Sequence, residues 1–226
     1  MQFFAIIAEW PDENVAYFRE LPGCFCSAPT YEEVMQIAPG AIAEYLKWTK
    51  ANGIVVIEEF DGSIDVVERE HMLVGEDEQD PRFVADLPPP DDAEIDLALN
   101  VAAAARAAML ELYEQVPQEK RARRLMPDSW SLSEHLEHLI ESEAWYVSRL
   151  QEQPAKDFQV AGDLEMAFFD RAMDYELYLR DLPSDQRQRI FTHQGEEWTA
   201  AKVLRRMTGH LRVHYPWMAE IAQALQ

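Results

Sequence analysis

The chain contains six histidines, and four of them fall into two close pairs, His135 with His138 and His210 with His214. Residues four apart on a helix share one face with their Cβ atoms about 5–6 Å apart, so His210 and His214 can turn two imidazoles toward one ion. They also interrupt an apolar stripe, Val203, Met207, His210, His214, Trp217 and Ile221, in which hydrophobes are the ordinary occupants. A buried imidazole with neither a polar partner nor an ion carries a desolvation cost. A third ligand has to come from another segment, and His138, beside the core position Leu139, is the candidate. Three neutral imidazoles leave a divalent cation with its full charge and an open position. That arrangement lowers the pKa of a bound water toward about 7 and suits catalysis rather than structure. Such a site should empty as pH falls below the imidazole pKa. The competing reading, a chance or hydrogen-bonded pair in a helical core, needs no ion.

Carboxylates near His138 are the acid–base candidates. Glu141, one turn beyond it, is the expected catalytic residue, with Glu134 and Glu137 nearby; a solvated helix face on an acidic protein is the competing reading for all three. His135 is expected to pack on Trp130 in the first turn of its helix or to lie on the surface, and to replace His138 only if that residue faces away. His193, within Thr192-His193-Gln194-Gly195, falls on a turn and is assigned no role.

These side chains need helices to carry them, and residues 91–226 read as four long amphipathic segments. The first, from Asp92 to Val116, aligns Ile95, Leu99, Ala102, Ala105, Met109, Leu112 and Val116. The second opens at Ser131, whose capping box with Glu134 and staple residue Trp130 mark a helix start, and runs to Leu150. The third carries Leu164, Phe168, Ala172, Tyr175, Leu179 and Leu182 and stops at Pro183; the fourth begins near Thr199. Four such helices pack as a bundle, and connections of roughly a dozen and roughly sixteen residues exceed a tight hairpin and allow a crossover. Pro216 removes a backbone donor and predicts a kink beside His214.

The first 75 residues have a different texture. Short apolar runs at Phe3–Ala8, Val15–Phe18 and Cys24–Ala28 alternate with turn signals and predict a small β-meander. A capping box at Thr30 then opens a helix through Val34, Ile37, Ala41, Tyr45 and Trp48, which Asn52-Gly53 ends. A strand pair is expected at Ile54–Glu59 and Ser63–Val67, with Asp61-Gly62 as the hairpin turn. Residues 76–90, acidic and ending in Leu87-Pro88-Pro89-Pro90, read as a linker between two domains.

Composition narrows the partners. The 226 residues carry 42 acidic and 20 basic side chains, a formal charge of −22 that argues against nucleic acid and anionic membrane surfaces as partners. Cys24 and Cys26 are too few for a disulfide framework and read as buried structural thiols in a reducing compartment. With no spanning-length apolar run and no signal-peptide pattern, a cytoplasmic location is expected.

Two resemblances sharpen these expectations. The string Trp130-Ser131-Leu132-Ser133-Glu134-His135-Leu136-Glu137-His138-Leu139, followed by Glu197-Trp198-Thr199 and then His210-Leu211-Arg212-Val213-His214, resembles the DinB-like superfamily of four-helix metal proteins over residues 90–226. The resemblance implies a metal triad at His138, His210 and His214. It also implies a divalent transition metal, zinc foremost with nickel as the alternative, and thiol-dependent S-transfer, thiol-dependent isomerisation or hydrolysis as the activity. The chain departs from the family at its last motif, where an extra His and an Arg-Gly are common, because Val213 precedes His214 and Tyr215-Pro216 follow it. Residues 1–70, through Pro22-Gly23-Cys24, Thr30-Tyr31-Glu32-Glu33 and Ala41-Ile42-Ala43-Glu44-Tyr45-Leu46, resemble the HicB-like fold. That family is known for antitoxins with an added DNA-binding segment. Residues 1–90 have no basic attachment and carry 18 acidic against 5 basic side chains, so repression of DNA is not expected of them.

The expected protein is therefore an α+β two-domain chain, a HicB-like β-meander and helix (1–75), a linker (76–90) and an all-α DinB-like four-helix bundle (91–226). Its expected function is that of a metal-dependent thiol S-transferase or small-molecule hydrolase, with a low-molecular-weight thiol as a candidate cofactor. The expected partners are a small-molecule substrate, a second copy in a homodimer, and a protein partner for the first domain. The alternative is a non-catalytic interaction protein with a partner-binding module on a helical scaffold.

Overall fold

The computed structural model describes residues 1–57, 60, 62–75, 81–155, 158–160 and 162–226. Strands β1 (Gln2–Glu9), β2 (Asn14–Phe18) and β3 (Phe25–Ala28) form an antiparallel meander in which Ile7 faces Ala16 and Ala16 faces Cys26. The turn between β2 and β3 holds Gly23 at φ +76°, and a Cβ there would meet the Arg212 side chain at 3.1 Å and the Thr208 carbonyl at 3.2 Å. Glycine is therefore required twice, by backbone sign and by the close approach of the last helix.

Helix α1 (Tyr31–Ala51) is capped by Thr30, whose side chain accepts the Glu33 N–H. Its buried residues Val34, Ala38, Ile42 and Tyr45 cover the sheet face formed by Phe3, Ala5, Ile7, Ala16, Phe18 and Cys26. Strand β4 (Asp65–Leu73) then pairs in parallel with β1, giving the order β3-β2-β1-β4. The expected strand at Ile54–Glu59 is not formed over residues 54–57; Glu58, Glu59 and Asp61 lie outside the described residues. The chain instead crosses the sheet through α1, and a crossover delivers a parallel strand to the far edge where a hairpin would have delivered an antiparallel neighbour.

The second face of the sheet is also covered. Ile6 and Ala8 pack with Val74, Phe83 and Ala85, the last two at the cap and the middle of a 3₁₀ turn at Val84–Asp86. Residues 81–90 thus include core positions, while residues 76–80 of the same acidic segment lie outside the described residues. Asp86 accepts from Arg205 at 2.8 Å, and the Arg205 guanidinium sits over Phe83 at 4.5 Å and Tyr17 at 5.2 Å.

Four long helices follow: α2 (Asp92–Glu114), α3 (Leu132–Ser148), α4 (Leu164–Arg180) and α6 (Ala200–Leu225). Their main contacts close a ring, α2 with α6, α6 with α3, α3 with α4 and α4 with α2, around one apolar core. The helix starts are capped by Asp91, Ser131, Asp163 and Thr199, each accepting a first-turn backbone N–H. Between α4 and α6 lie the short α5 (Ser184–Arg187) and a hairpin of β5 (Phe191–His193) and β6 (Glu196–Trp198). Helix α6 runs through Pro216 without interruption, so the expected disturbance beside His214 does not break the helix. No described helix is long and apolar enough to cross a membrane.

A charged cluster lies inside this ring. Arg106 of α2 bonds both oxygens of Glu143 on α3, at 3.0 and 3.1 Å, and reaches Glu176 of α4 at 2.9 Å. The Arg106 and Glu143 side chains are 5% and 3% exposed. Burial pushes the Glu143 carboxyl up and the Arg106 guanidinium pulls it back down. Removing one partner strands the other charge in the core. The Arg106→Met variant is therefore expected to lose about 3–5 kcal/mol in urea unfolding, most of it recovered by adding Glu143→Leu. Equal losses in the single and double variants would contradict this.

Candidate metal centre

The site is built on α3 and α6. The start of α3 is fixed by Ser131, whose Oγ accepts the Glu134 N–H at 3.2 Å while Glu134 accepts the Ser131 N–H at 2.8 Å. Arg124 grips the same carboxylate, donating through Nε at 2.9 Å and also through Nη2. The Arg124 hydrogen bond, then the bonds from Ser131, hold the Glu134 carboxyl down at about 2. Glu134 is thus committed to capping, and Glu137 is exposed. Of the three carboxylates considered, Glu141 shares a cavity with His138, a space of about 530 Å³ lined also by Ser142 and Tyr146.

With α3 set, His135 and His138 face His210 and His214 on α6. The Nε2 atoms of His138 and His210 lie 3.1 Å apart, and those of His210 and His214 lie 2.9 Å apart. One nitrogen from each of His138, His210 and His214 falls within 4.8 Å of the others. The three imidazoles singled out from the sequence therefore meet at one point. His135 is buried rather than on the surface, 6% exposed. It makes the expected contact with Trp130, at 5.2 Å between ring centres, and its Nδ1 lies 2.9 Å from Nδ1 of His214.

The second nitrogen of each ring is also placed. His210 Nδ1 lies 3.4 Å from Tyr146 Oη and His214 Nδ1 meets His135 Nδ1, while Ser142 Oγ stands beside the His138 ring, 3.5 Å from Nδ1 and 3.3 Å from Nε2. An imidazole that presents a lone pair through Nε2 carries its proton on Nδ1, and an acceptor waits at the Nδ1 of His210 and of His214. Burial is the main cause that pulls all four imidazoles down, His210 to about 2 and His214 to about 3, with neighbouring histidines adding to the shift in His135, His210 and His214. The rings are neutral at pH 7, the state a metal requires.

The donor set fits a divalent transition metal. Zn–N bonds of about 2.0–2.1 Å imply tetrahedral N···N edges near ~3.3 Å, within a few tenths of an ångström of the two shortest edges here. Trp130 packs against His135, His138 and His214, and Trp217 lies 5.1 Å from His214. Together they wall a cavity of about 440 Å³ that opens onto His138 and His214.

Sequence reasoning left several of these residues out. Ser142 and Tyr146 follow His138 at steps of four and so lie on one ridge of α3, a spacing legible in the sequence. Trp217 belongs to the apolar stripe of α6, yet it is 50% exposed and forms a wall of the site. His193 sits in β5 with Nε2 at 3.0 Å from the Arg149 carbonyl, away from the cluster. Cys24 and Cys26 are buried, and burial pushes both thiols up, Cys26 to about 11.

A ring of helices that brings three histidines from two of its members to one point defines a helical protein with a candidate histidine metal site. The family model of the DinB superfamily matches residues 102–218, more than half of the chain, and the chain belongs to that superfamily, which is known for metal binding. No curated protein and no solved structure matches it.

The depressed histidines set a pH dependence for the metal-free protein. An unfolded chain binds protons at imidazole below about 6.5, whereas the folded His210 and His214 resist protonation, so stability is full above that value and falls as pH drops through it. Urea unfolding between pH 7.5 and 5 should show a steep loss in the wild type and a shallower one in the His210→Asn, His214→Asn double variant. Equal slopes would contradict the assignment.

Proposed function

We propose that the protein is a metal-dependent enzyme acting on a small molecule, with His138, His210 and His214 holding a divalent transition metal ion, zinc foremost. The observation that carries this reading is the convergence described above: one nitrogen from each of the three rings meets the others, while an acceptor stands at the Nδ1 of His210 and of His214. Membership of the DinB superfamily supports it. In this reading α2, α3, α4 and α6 are the four-helix bundle of that superfamily, and residues 1–75 are a HicB-like unit packed on it in a cytoplasmic protein.

A divalent ion in this setting supplies Lewis acidity and lowers the pKa of a water or thiol at its open position toward neutrality. The chain's own residues do the rest. Tyr146 and His135 fix the tautomer and orientation of His210 and His214. Trp130 and Trp217 keep bulk water off one side of the site. Glu141, in the cavity it shares with His138, accepts the proton released when a water or thiol is activated. The two reactions that fit are hydrolysis and transfer to a low-molecular-weight thiol. A homodimer and a protein partner for the amino-terminal unit are further parts of the proposal.

Protein purified without affinity nickel and analysed for metals should carry about one transition-metal ion per chain. Alanine at His138, His210 or His214 should abolish this. His135→Phe is expected to weaken metal affinity ~10–100-fold, and His135→Gln, which keeps an acceptor, should do so less. Glu141→Gln should retain the metal and lower turnover by roughly 10²-fold. Activity screens with and without added small thiols separate the two reactions. Absence of metal from the wild type even after incubation with zinc would overturn the reading in favour of a non-catalytic interaction protein.

A further inference from the structure

The histidine cluster borders a third open space, larger than the two already described. It lies between α6 and the sheet, has a volume of about 600 Å³, and takes His210 and Trp217 into its lining. Its opposite wall comes from the amino-terminal unit, with Trp10 from the β1–β2 turn, Tyr17 from β2 and Phe25 from β3. The volume falls in the range of small-molecule sites, about 300–1,000 Å³, and far below what a docked protein or helix needs. The amino-terminal unit and the histidine cluster thus share one cavity.

This space is aromatic on one side and cationic on the other. Three arginines of α6 line it, and each has a partner: Arg205 holds Asp86 through two nitrogens, the Arg212 guanidinium stacks on Trp48 at 4.1 Å, and the Arg206 guanidinium lies over the Tyr146 ring at 5.6 Å. Arg206 stands one helical turn before His210, so both project from the same face of α6. Its Nη2 donates to Tyr146 Oη at 3.1 Å, and that same oxygen lies 3.4 Å from His210 Nδ1. The guanidinium is thereby held within reach of the metal cluster. In a chain of formal charge −22, a fixed cation beside a candidate site is a selective feature. Glu13 also lines the space, one carboxylate against the three arginines, so the lining favours an anion.

We propose that this groove is the substrate-binding site, that it takes small carboxylates with a planar or apolar body, and that the amino-terminal sheet supplies half of it. The carboxylate pairs with Arg206, the body lies against Trp10, Tyr17 and Phe25, and the reacting end points to the cluster of His138, His210 and His214. The assignment of a reacting end rests on the metal-dependent reading; the groove and its charge preference do not. The sheet is then a working wall of the site rather than an appendage.

The test compares phenylacetate with its neutral isostere phenylacetamide, titrated into the full chain by calorimetry in metal-free and zinc-loaded forms. In both forms the wild type should prefer the carboxylate by about 10-fold, the ratio expected for one charge-assisted hydrogen-bonded pair. Arg206→Gln should bring that ratio to about one by weakening the carboxylate more than the amide, and Trp10→Ala should weaken both probes together by several-fold. A carboxylate preference that survives Arg206→Gln, or a Trp10→Ala variant that binds both probes as the wild type does, would overturn the proposal. Failure to take up zinc would count against the metal reading alone, because the metal-free titration still reads the groove.

Discussion

Two close contacts between imidazole nitrogens, His138 with His210 at 3.1 Å and His210 with His214 at 2.9 Å, are the constraint on which the rest of the site depends. A lone pair aimed at a lone pair is repulsive, and a proton can relieve only one contact at a time. Protonating the rings outright is opposed by burial, which drives His210 and His214 far below the ordinary imidazole range. A divalent cation would relieve both contacts together, with the Nδ1–H groups of His210 and His214 donating to Tyr146 Oη and His135 Nδ1.

The fold supplies rigidity where this constraint demands it. The capping box of Ser131 and Glu134, locked by Arg124, sets the start of α3 one turn before His135 and His138. Arg106 ties α2, α3 and α4 together at a level where it also lies 3.9 Å from the Met207 sulfur, one turn before His210. Helix α6 is gripped from its other side by the sheet, through Gly23 against Thr208 and Arg212, and through Arg205 with Asp86. The amino-terminal unit thus fixes the helix that carries two of the three candidate ligands. This coupling connects a small β-sheet to the candidate metal site in a set of helices.

Much of this was legible in the residues. The stripes of α2 and α4, the caps at Thr30, Ser131 and Thr199, and the three strands before α1 follow from periodicity and turn chemistry, which act locally. The His138, His210 and His214 convergence was legible because a four-residue step and one extra histidine in an apolar stripe suffice to suggest it. What escaped depends on contacts between distant segments. The parallel seat of β4 beside β1 follows from a crossover that no local pattern encodes. Phe83 and Ala85 read as spacer because short segments carry no periodicity, yet they close the second face of the sheet. His135 read as a first-turn packing residue because its Nδ1 partner lies 79 residues away. Trp217 fell on the right stripe but at its rim, where an aromatic walls a cavity instead of filling the core.

The central claim is tested most directly by an anomalous difference map at the zinc edge from crystals grown with zinc. A single strong peak within about 2.0–2.1 Å of Nε2 of His138, His210 and His214, with His135 outside bonding distance, is the predicted result. A map with no peak there, or with the ion bound between His135 and His214 through their Nδ1 atoms, would contradict the account.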